Sequence, residues 1–398
     1  MTQSYEIAVI GTGTAGITTM SHLLAWLPKE CTVTSISDPS IPILGIGEST
    51  TTSIPESLYY GADFNFLDDH DKLDATVKHG VKYSNWRPND FYTVIPPPHY
   101  AMHFNNFKLK EVCFEKFRKQ WKEKFKIVEG SIQDLINEKD AASCIIDNKK
   151  YNFDYIIDCR GYPDSYEEYD LVETIPVNHC IVHTINQPGN WTYTHHMATP
   201  DGWMFGIPLQ TRQGWGYLYN DTITSKEQAI KNQAKMLGLD PCELSVKEFQ
   251  FKNFKAKKFI NNRIIKNGNR ALFYEPLEAL SGWFYDRVIR AFFDVVITNQ
   301  YTEEQANTVL LTLAEDYELF ICYMYHGGSI FDSEFWKITK NRCNDRLKNS
   351  ERFSKNIEFL KQVSFQHYGN PSVILPFPYK TWKQMDNDLG YHYFESPR

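Results

Sequence analysis

YEIAVIGTGTAGITTMSHLLAWLP, residues 5–28, opens with an apolar run, passes through a glycine turn and continues with Ile17, Met20, Leu23, Leu24 and Leu27 at helical spacing. The pattern predicts a strand, a tight loop and a helix. Gly11, Gly13 and Gly16 stand at the junction in the spacing G-x-G-x-x-G, with Thr14 and Ala15 between them. Glycines there let the chain turn sharply and let a ligand approach the backbone, while the helix N-terminus offers unpaired N–H groups to a pyrophosphate. A dinucleotide is the ligand this arrangement suits; a plain glycine turn is the alternative. The next strand, CTVTSISD, ends in Ser37 and Asp38, and either side chain can meet the ribose. Further on, YNFDYIIDCRG (151–161) reads as an apolar strand ending in Asp158 and Gly161. A sheet completed that far along the chain favours FAD over NAD.

Composition narrows the class. Among 398 residues, 42% are hydrophobic and 23% charged, with a net charge of −7, so the chain can bury a large core and carries no concentrated basic field for nucleic acid. No stretch approaches eighteen apolar residues, and the N-terminus enters a strand directly, so the expectation is a soluble, cytoplasmic protein without a membrane segment. Eight dispersed cysteines include no C-x-x-C pair and read as reduced and mostly buried. The stretch PSIPILGIGESTTTSIPES (39–57) holds too many turn residues for regular structure. Residues 109–126 place Val112, Cys113, Phe117, Trp121 and Phe125 on one stripe of an amphipathic helix whose charged face is solvated. From 176 to 260 the pattern is alternating and aromatic, and from 301 it is helical and polar. The pairs His99/His103 and His179/His183 have i, i+4 spacing but neither a helical H-E-x-x-H frame nor a third ligand, so no metal is expected.

ATVKHGVKYSNWR (75–87) carries Lys78 and Lys82 four positions apart. That spacing puts both on one face of a helix or of a strand, so it does not distinguish a chemical lysine from a solvated one.

Several separated blocks resemble, in order, the flavin-dependent halogenases of the tryptophan-halogenase type. GTGTAG resembles that family's GGGTAG loop, and IPILGIGEST (41–50), with Gly47 and Ser49, resembles its IGVGEAT loop. VKHGVKYSNWR resembles FKxAIKFxNW, and DYIIDCRG resembles the strand ending IDCSG. GWMFGIP (202–208) resembles W-x-W-x-I-P, keeping Trp203, Ile207 and Pro208 with Phe205 in place of the second Trp. EPLEALSG (275–282) resembles EPLESTG with one extra residue before the glycine, and DSEFW (332–336) resembles DTPFW.

The resemblance implies an α/β (α+β) fold of the flavin monooxygenase type: a two-part, Rossmann-like FAD domain, a β-sheet substrate domain and a helical C-terminal part. The expected limits are 1–90 with 126–165 and 258–300 for the FAD domain, 91–125 and 166–257 for the substrate domain, and 301–398 for the helical part. It also implies that FADH2 from a separate flavin reductase, with oxygen and halide, gives hypohalous acid that halogenates a small electron-rich aromatic. Lys78 would polarise or carry the electrophile and Glu278 would take the ring proton. Leu280, Ser281 and Gly282 would hold the halide, and Trp203, Phe205, Ile207 and Pro208 would wall the flavin from the substrate. His103 and Phe104 would line the substrate cavity. A homo-oligomer is the expected assembly. The short length and the Lys-, Asn-, Ile-, Tyr- and Phe-rich composition resemble the family's short viral-type members. The rivals are a monooxygenase or oxidoreductase of the same fold, needing no special lysine, and a non-catalytic flavin-binding descendant.

Overall fold

The computed structural model describes residues 4–43, 45, 48–362, 377 and 379–394. The chain divides into two compact units: Met1–Thr76 with Ala101–Leu171 and Phe254–Thr312, and Val77–Tyr100 with Val172–Asn253 and Leu313–Arg398.

The first unit is built on a six-stranded sheet in the order Ile260–Asn261, Ile264–Lys266, Tyr155–Asp158, Glu6–Ile10, Thr32–Ser37, Phe125–Glu129. The last five strands are mutually parallel, and Ile260–Asn261 pairs antiparallel. Parallel strands must be covered on both faces, which is why Ile7–Ile10 is fully buried. The helices Thr14–Trp26, Ser53–Ala62, Asn106–Trp121 and Ser281–Phe292 pack together. A three-stranded antiparallel sheet (Ile132–Asn137, Ala142–Ile146, Lys149–Phe153) seals Ala8, Ile10 and Ile36 with Ala142, Cys144, Ile146 and Phe153.

Three local expectations change. The turn-rich stretch 39–57 contains the start of the Ser53–Ala62 helix, and Pro55 is tolerated because it lies in the first turn, where its missing N–H has no intrahelical partner to lose. The amphipathic helix runs Asn106–Trp121, started by the Asn105 side chain accepting the Phe107 N–H and ended at Lys122 (φ 40°). Phe125 therefore begins a strand, though its ring still packs 5.2 Å from Phe117. The run 151–161 is split at Asp154, whose carboxylate accepts the Glu6 N–H at 2.7 Å, and its two halves join different sheets.

His22 on the first helix ion-pairs with the buried Asp286 at 3.1 Å, and Asp286 also meets Arg287 at 3.0 Å and Arg290 at 2.9 Å. Burial alone would raise this carboxyl, but its contact with His22 and the charges of Arg287 and Arg290 outweigh that and hold it down to about 2. A depressed carboxylate contributes stability above its unfolded pKa, and that contribution is lost as pH falls through the folded value. Asp286→Asn should therefore cost about 2 kcal/mol at pH 7. The gap to the parent chain should close between about pH 4 and pH 2, read from urea unfolding at a series of pH values.

The second unit carries a seven-stranded sheet in the order Lys247–Gln250, His179–Ile185, Gln213–Tyr219, Gly202–Pro208, Thr194–Thr199, Gly80–Ser84, Phe91–Val94. All pairings are antiparallel except that of Thr194–Thr199 with Gly80–Ser84. The helix Lys226–Leu237, which the sequence patterns do not single out, closes a core of Ile181, Met204, Trp215, Tyr217 and Ala229. The C-terminal helical part from Leu313 onward belongs to this same unit. Trp336 donates its Nε1–H to the Thr199 carbonyl at 2.7 Å, and Trp86 packs 5.4 Å from both Tyr325 and Trp336.

The contact division thus differs from the expected limits. Residues 101–125 group with the nucleotide-type sheet, 77–90 with the seven-stranded sheet, and 301–398 divide at Thr312 rather than standing apart. Packing of Trp86 against Tyr325 and Trp336 ties 77–90 to the C-terminal part, and hydropathy patterns carry no trace of it.

Candidate active site

In the first unit the glycine loop has the geometry its spacing requires. Gly11 adopts φ +101°, and a Cβ there would stand 2.7 Å from the Cys159 carbonyl oxygen; a Cβ on Gly16 would collide with the Gly11 carbonyl. Gly13 has nothing within 4 Å of its Cβ position, so the loop is open on that side. The Thr14–Trp26 helix begins with no side-chain cap and no acid in its first turn among the described residues. Its leading N–H groups and dipole are thus left for an anion. Thr14 donates to the Asn106 side-chain oxygen at 3.0 Å, and Ala15 is buried.

Ser37 and Asp38 are told apart by their partners. The Ser37 hydroxyl is buried without a hydrogen-bond partner among the described residues, whereas Asp38 accepts both the hydroxyl (2.6 Å) and the N–H (2.9 Å) of Ser40. Those bonds hold the Asp38 carboxyl below its usual range. Asp158, expected to touch the dinucleotide, is instead enclosed: Arg160 reaches it at 2.9 and 2.8 Å and Arg270 at 3.2 Å. It serves as their counter-ion at the end of its strand, while the exposed Gly161 has open space beside it. Gly47 lies outside the described residues. Ser49 forms an antiparallel bridge with His103, and Phe104 N–H donates to the Glu48 carbonyl at 3.0 Å. His103 and Phe104 are fully buried, with the His103 ring 3.1 Å from the Thr76 hydroxyl, so both support the second flavin-type loop rather than face an open cavity. The open glycine loop, the uncapped helix and the orphaned Ser37 hydroxyl together fit a dinucleotide such as FAD.

The same unit holds the EPLEALSG segment. Glu278 (φ 60°) and Ala279 (φ 56°) are consecutive non-glycine residues in the left-handed region. Such conformations cost about 1–3 kcal/mol each and cluster at functional sites. Glu278 is 5% exposed. Leu280 is buried at the N-cap of the Ser281–Phe292 helix, which has no side-chain cap among the described residues. A Cβ on Gly282 would approach the Ile54 Cδ1 to 2.6 Å, so glycine lets this helix start lie against the Ser53–Ala62 helix. Sequence reasoning missed two buried acids of this unit, Glu48 and Glu275. Glu48 accepts the Asn106 N–H at 3.2 Å; the only sequence signal for either was an acid inside an otherwise apolar and small-residue block.

In the second unit the two lysines separate. Gly80 between them has φ +152°, and a Cβ there would collide with the Thr93 carbonyl oxygen, so the chain breaks its strand at His79. Lys78 is 2% exposed, whereas the Lys82 side chain is 28% exposed and salt-bridged to Asp90 at 2.8 Å. The Asp90 hydrogen bond raises the Lys82 pKa and fixes its charge. Trp203, Phe205, Ile207 and Pro208 lie on the central Gly202–Pro208 strand, every residue of which is buried. The Trp203 ring lies tilted, 4.7 Å from that of His196, a residue that sequence reasoning passed over.

Fold and residues together define an α/β protein with a dinucleotide-type loop in its first unit and a buried lysine in its second. The tryptophan halogenase family model matches residues 6–144 and 97–376. The chain belongs to the tryptophan halogenase family, which makes it an enzyme of the flavin-dependent halogenase class. Tryptophan 7-halogenase RebH of Lentzea aerocolonigenes is 21% identical over 84% of this chain and 78% of its own length. Tryptophan 6-halogenase ThaL of Streptomyces albogriseolus is 20% identical over 88% and 81%. Among solved structures, the tryptophan 6-halogenase SttH of Streptomyces toxytricini superposes with a TM-score of 0.80 at 17% identity, covering 96% of this chain and 90% of that one. Xcc4156 of Xanthomonas campestris, a flavin-dependent halogenase, gives 0.80 at 17% identity over 97% and 88%.

Proposed function

We propose that the chain is an FADH2-dependent halogenase that places a halogen on a small electron-rich aromatic, such as an indole or phenol, through Lys78. Gly11, Gly13, Thr14, Ala15 and Gly16 would hold the pyrophosphate, with Ser37 at the ribose. Reduced FAD, when bound, supplies with oxygen the oxidising equivalents that turn halide into hypohalous acid. The main-chain N–H groups of Leu280, Ser281 and Gly282 would bind the halide at the uncapped helix start. Trp203 and Phe205, inside the sheet with Ile207 and Pro208, would keep the organic substrate from the flavin.

Lys78 would donate a hydrogen bond to the oxygen of hypohalous acid. As the ring carbon forms its bond to halogen, the halogen–oxygen bond breaks, and the ammonium's proton makes the leaving oxygen water. Glu278 would accept the proton that the ring carbon then releases. The observation that carries this reading is the burial of Lys78 beside a partly exposed, carboxylate-paired Lys82. A monooxygenase has no use for a desolvated lysine at that position.

A separate reductase would deliver the reduced flavin, and the working form would be a cytoplasmic homo-oligomer of the family's short viral type. The deciding experiment incubates the chain with FAD, a generic flavin reductase, NADH and each halide over a panel of phenols, indoles and anilines, read by mass spectrometry. Halogenated product is the expected result; hydroxylated product with no halogen would replace the proposal with the monooxygenase. FAD should also exchange reversibly, and a tightly retained flavin reduced directly by NADH would oppose the reading. Because Ala279–Gly282 is one residue longer than the family loop, bromide should be used at least as well as chloride, checked by direct competition in one reaction.

A further inference from the structure

Asn267, Gly268 and Asn269 lie between the Ile264–Lys266 strand and the EPLEALSG segment of the first unit, and they join two helices that stand far apart in the chain. Asn267 is fully buried. Its main-chain N–H donates to the Asp158 carbonyl at 2.9 Å, and its Nδ2 donates to the Thr19 hydroxyl at 3.0 Å and to the Tyr285 carbonyl at 3.3 Å. Its Oδ1 accepts the Gly268 N–H at 2.8 Å. Thr19 belongs to the Thr14–Trp26 helix and Tyr285 to the Ser281–Phe292 helix. Gly268 lies against the dinucleotide loop: its φ is +65°, and a Cβ there would stand 2.5 Å from the Ala15 Cβ. Asn269 then accepts the Tyr285 hydroxyl at 3.0 Å. Ser281 and Tyr285 are four residues apart on one helix, so Tyr285 lies one turn behind the segment assigned to the halide. Apolar packing alone could hold two helices together, but a buried polar network satisfied in this way also fixes their register.

We propose that Asn267, Asn269 and Tyr285 form a clasp of positioning residues that fixes the helix start at Leu280–Gly282 relative to the dinucleotide loop, so that a halide bound at the one tightens FAD at the other. The proposal rests on the reading of Leu280, Ser281 and Gly282 as the halide site. A halide and a pyrophosphate repel each other, so a tightening can come only through the protein. A halide that accepts N–H bonds at the start of the Ser281–Phe292 helix orders its first turn. Tyr285, one turn on, transmits that order through Asn269 and Asn267 to Ala15 and Thr19. FAD then meets a loop that is already ordered, and by linkage bound FAD favours the halide by the same factor.

The test is flavin-fluorescence titration of the full chain with and without chloride, in the absence of reductase and aromatic substrate. Chloride binding to the flavin-free chain is read separately from ³⁵Cl NMR line broadening. Saturating chloride should tighten FAD on the order of 5-fold or more in the parent. Tyr285→Phe removes only the hydroxyl that reaches Asn269, and Thr19→Val removes an acceptor of Asn267 at similar volume. Each should bring that factor down to about 2-fold or less while both ligands still bind. Ile156→Val, a buried change in the sheet of the same unit, controls for mere loss of stability and should keep the parental factor. Chloride binding without any effect on FAD in the parent, or a parental factor in Tyr285→Phe and Thr19→Val, would overturn the clasp even in an active halogenase. Linkage present in the parent and lost in those two variants would support it even if the chain halogenated no aromatic, so the two readings fail separately. Absence of chloride broadening would remove the halide site and the clasp with it.

Discussion

Lys78→Ala should lose aromatic halogenation by about 10² to 10⁴-fold while FAD binding and oxygen consumption stay near parental values. The separation follows from where the two tasks sit in the chain. The dinucleotide loop and the EPLEALSG segment belong to the first unit, and Lys78 belongs to the second. The side chain is 2% exposed, so its removal takes away a desolvated hydrogen-bond donor rather than a solvated charge. Lys82→Ala is the control of equal sequence distance. Its side chain is 28% exposed and paired with Asp90, and an ion pair of that kind contributes about 0–1 kcal/mol, so product formation should be nearly unchanged. Glu278→Gln should fall between them, because water can still take the ring proton. Product formation by Lys78→Ala at the parental rate would remove the lysine from the chemistry and leave the flavin fold without a halogenating residue. Steady-state product analysis beside an oxygen electrode makes the measurement.

Gly16→Ala should weaken FAD binding on the order of 10²-fold or more, since a reshaped loop forfeits charge-assisted backbone bonds to the pyrophosphate at about 1.5 kcal/mol or more each. The reason is local: the added methyl would collide with the Gly11 carbonyl oxygen, a backbone atom that no rotamer change can move aside. Gly13→Ala makes the comparison. Its Cβ would meet nothing within 4 Å, so the chain should keep its unfolding midpoint while the methyl occupies room meant for the ligand. Flavin-fluorescence titration beside a urea melt separates the two effects. Equal FAD affinity in Gly16→Ala and the parent would mean that the dinucleotide does not use this loop.

How legible these features were depends on how far apart the interacting residues lie. The strand, glycine loop and helix of residues 5–28 could be read directly, because alternation of apolar runs with glycine is a local code and the bonds it specifies are local too. The ordered blocks also pointed to the family, since each motif is contiguous. Asp158 misled because a strand-ending acid looks the same whether it faces a ribose or two arginines, and Arg270 lies more than a hundred residues downstream. His103 and Phe104 misled likewise: their partners Ser49, Glu48 and Thr76 come from other segments. His196 gave no signal at all, because the rings that pack against it, Trp203 and Tyr83, come from two other strands.

By itself, then, the sequence determined the nucleotide-type loop, the halogenase family and the pair of lysines among which the chemistry had to be sought. The family resemblance singled out Lys78, and only the tertiary structure shows how differently the two are placed, one buried and the other partly exposed against Asp90. Four residues along an unbroken strand would put Lys78 and Lys82 on one face. The positive φ of Gly80, where a side chain would strike the Thr93 carbonyl, interrupts that alternation, buries Lys78 and turns Lys82 outward to Asp90. Desolvation is a property of what surrounds a charge, and those surroundings are assembled from strands far apart in the chain.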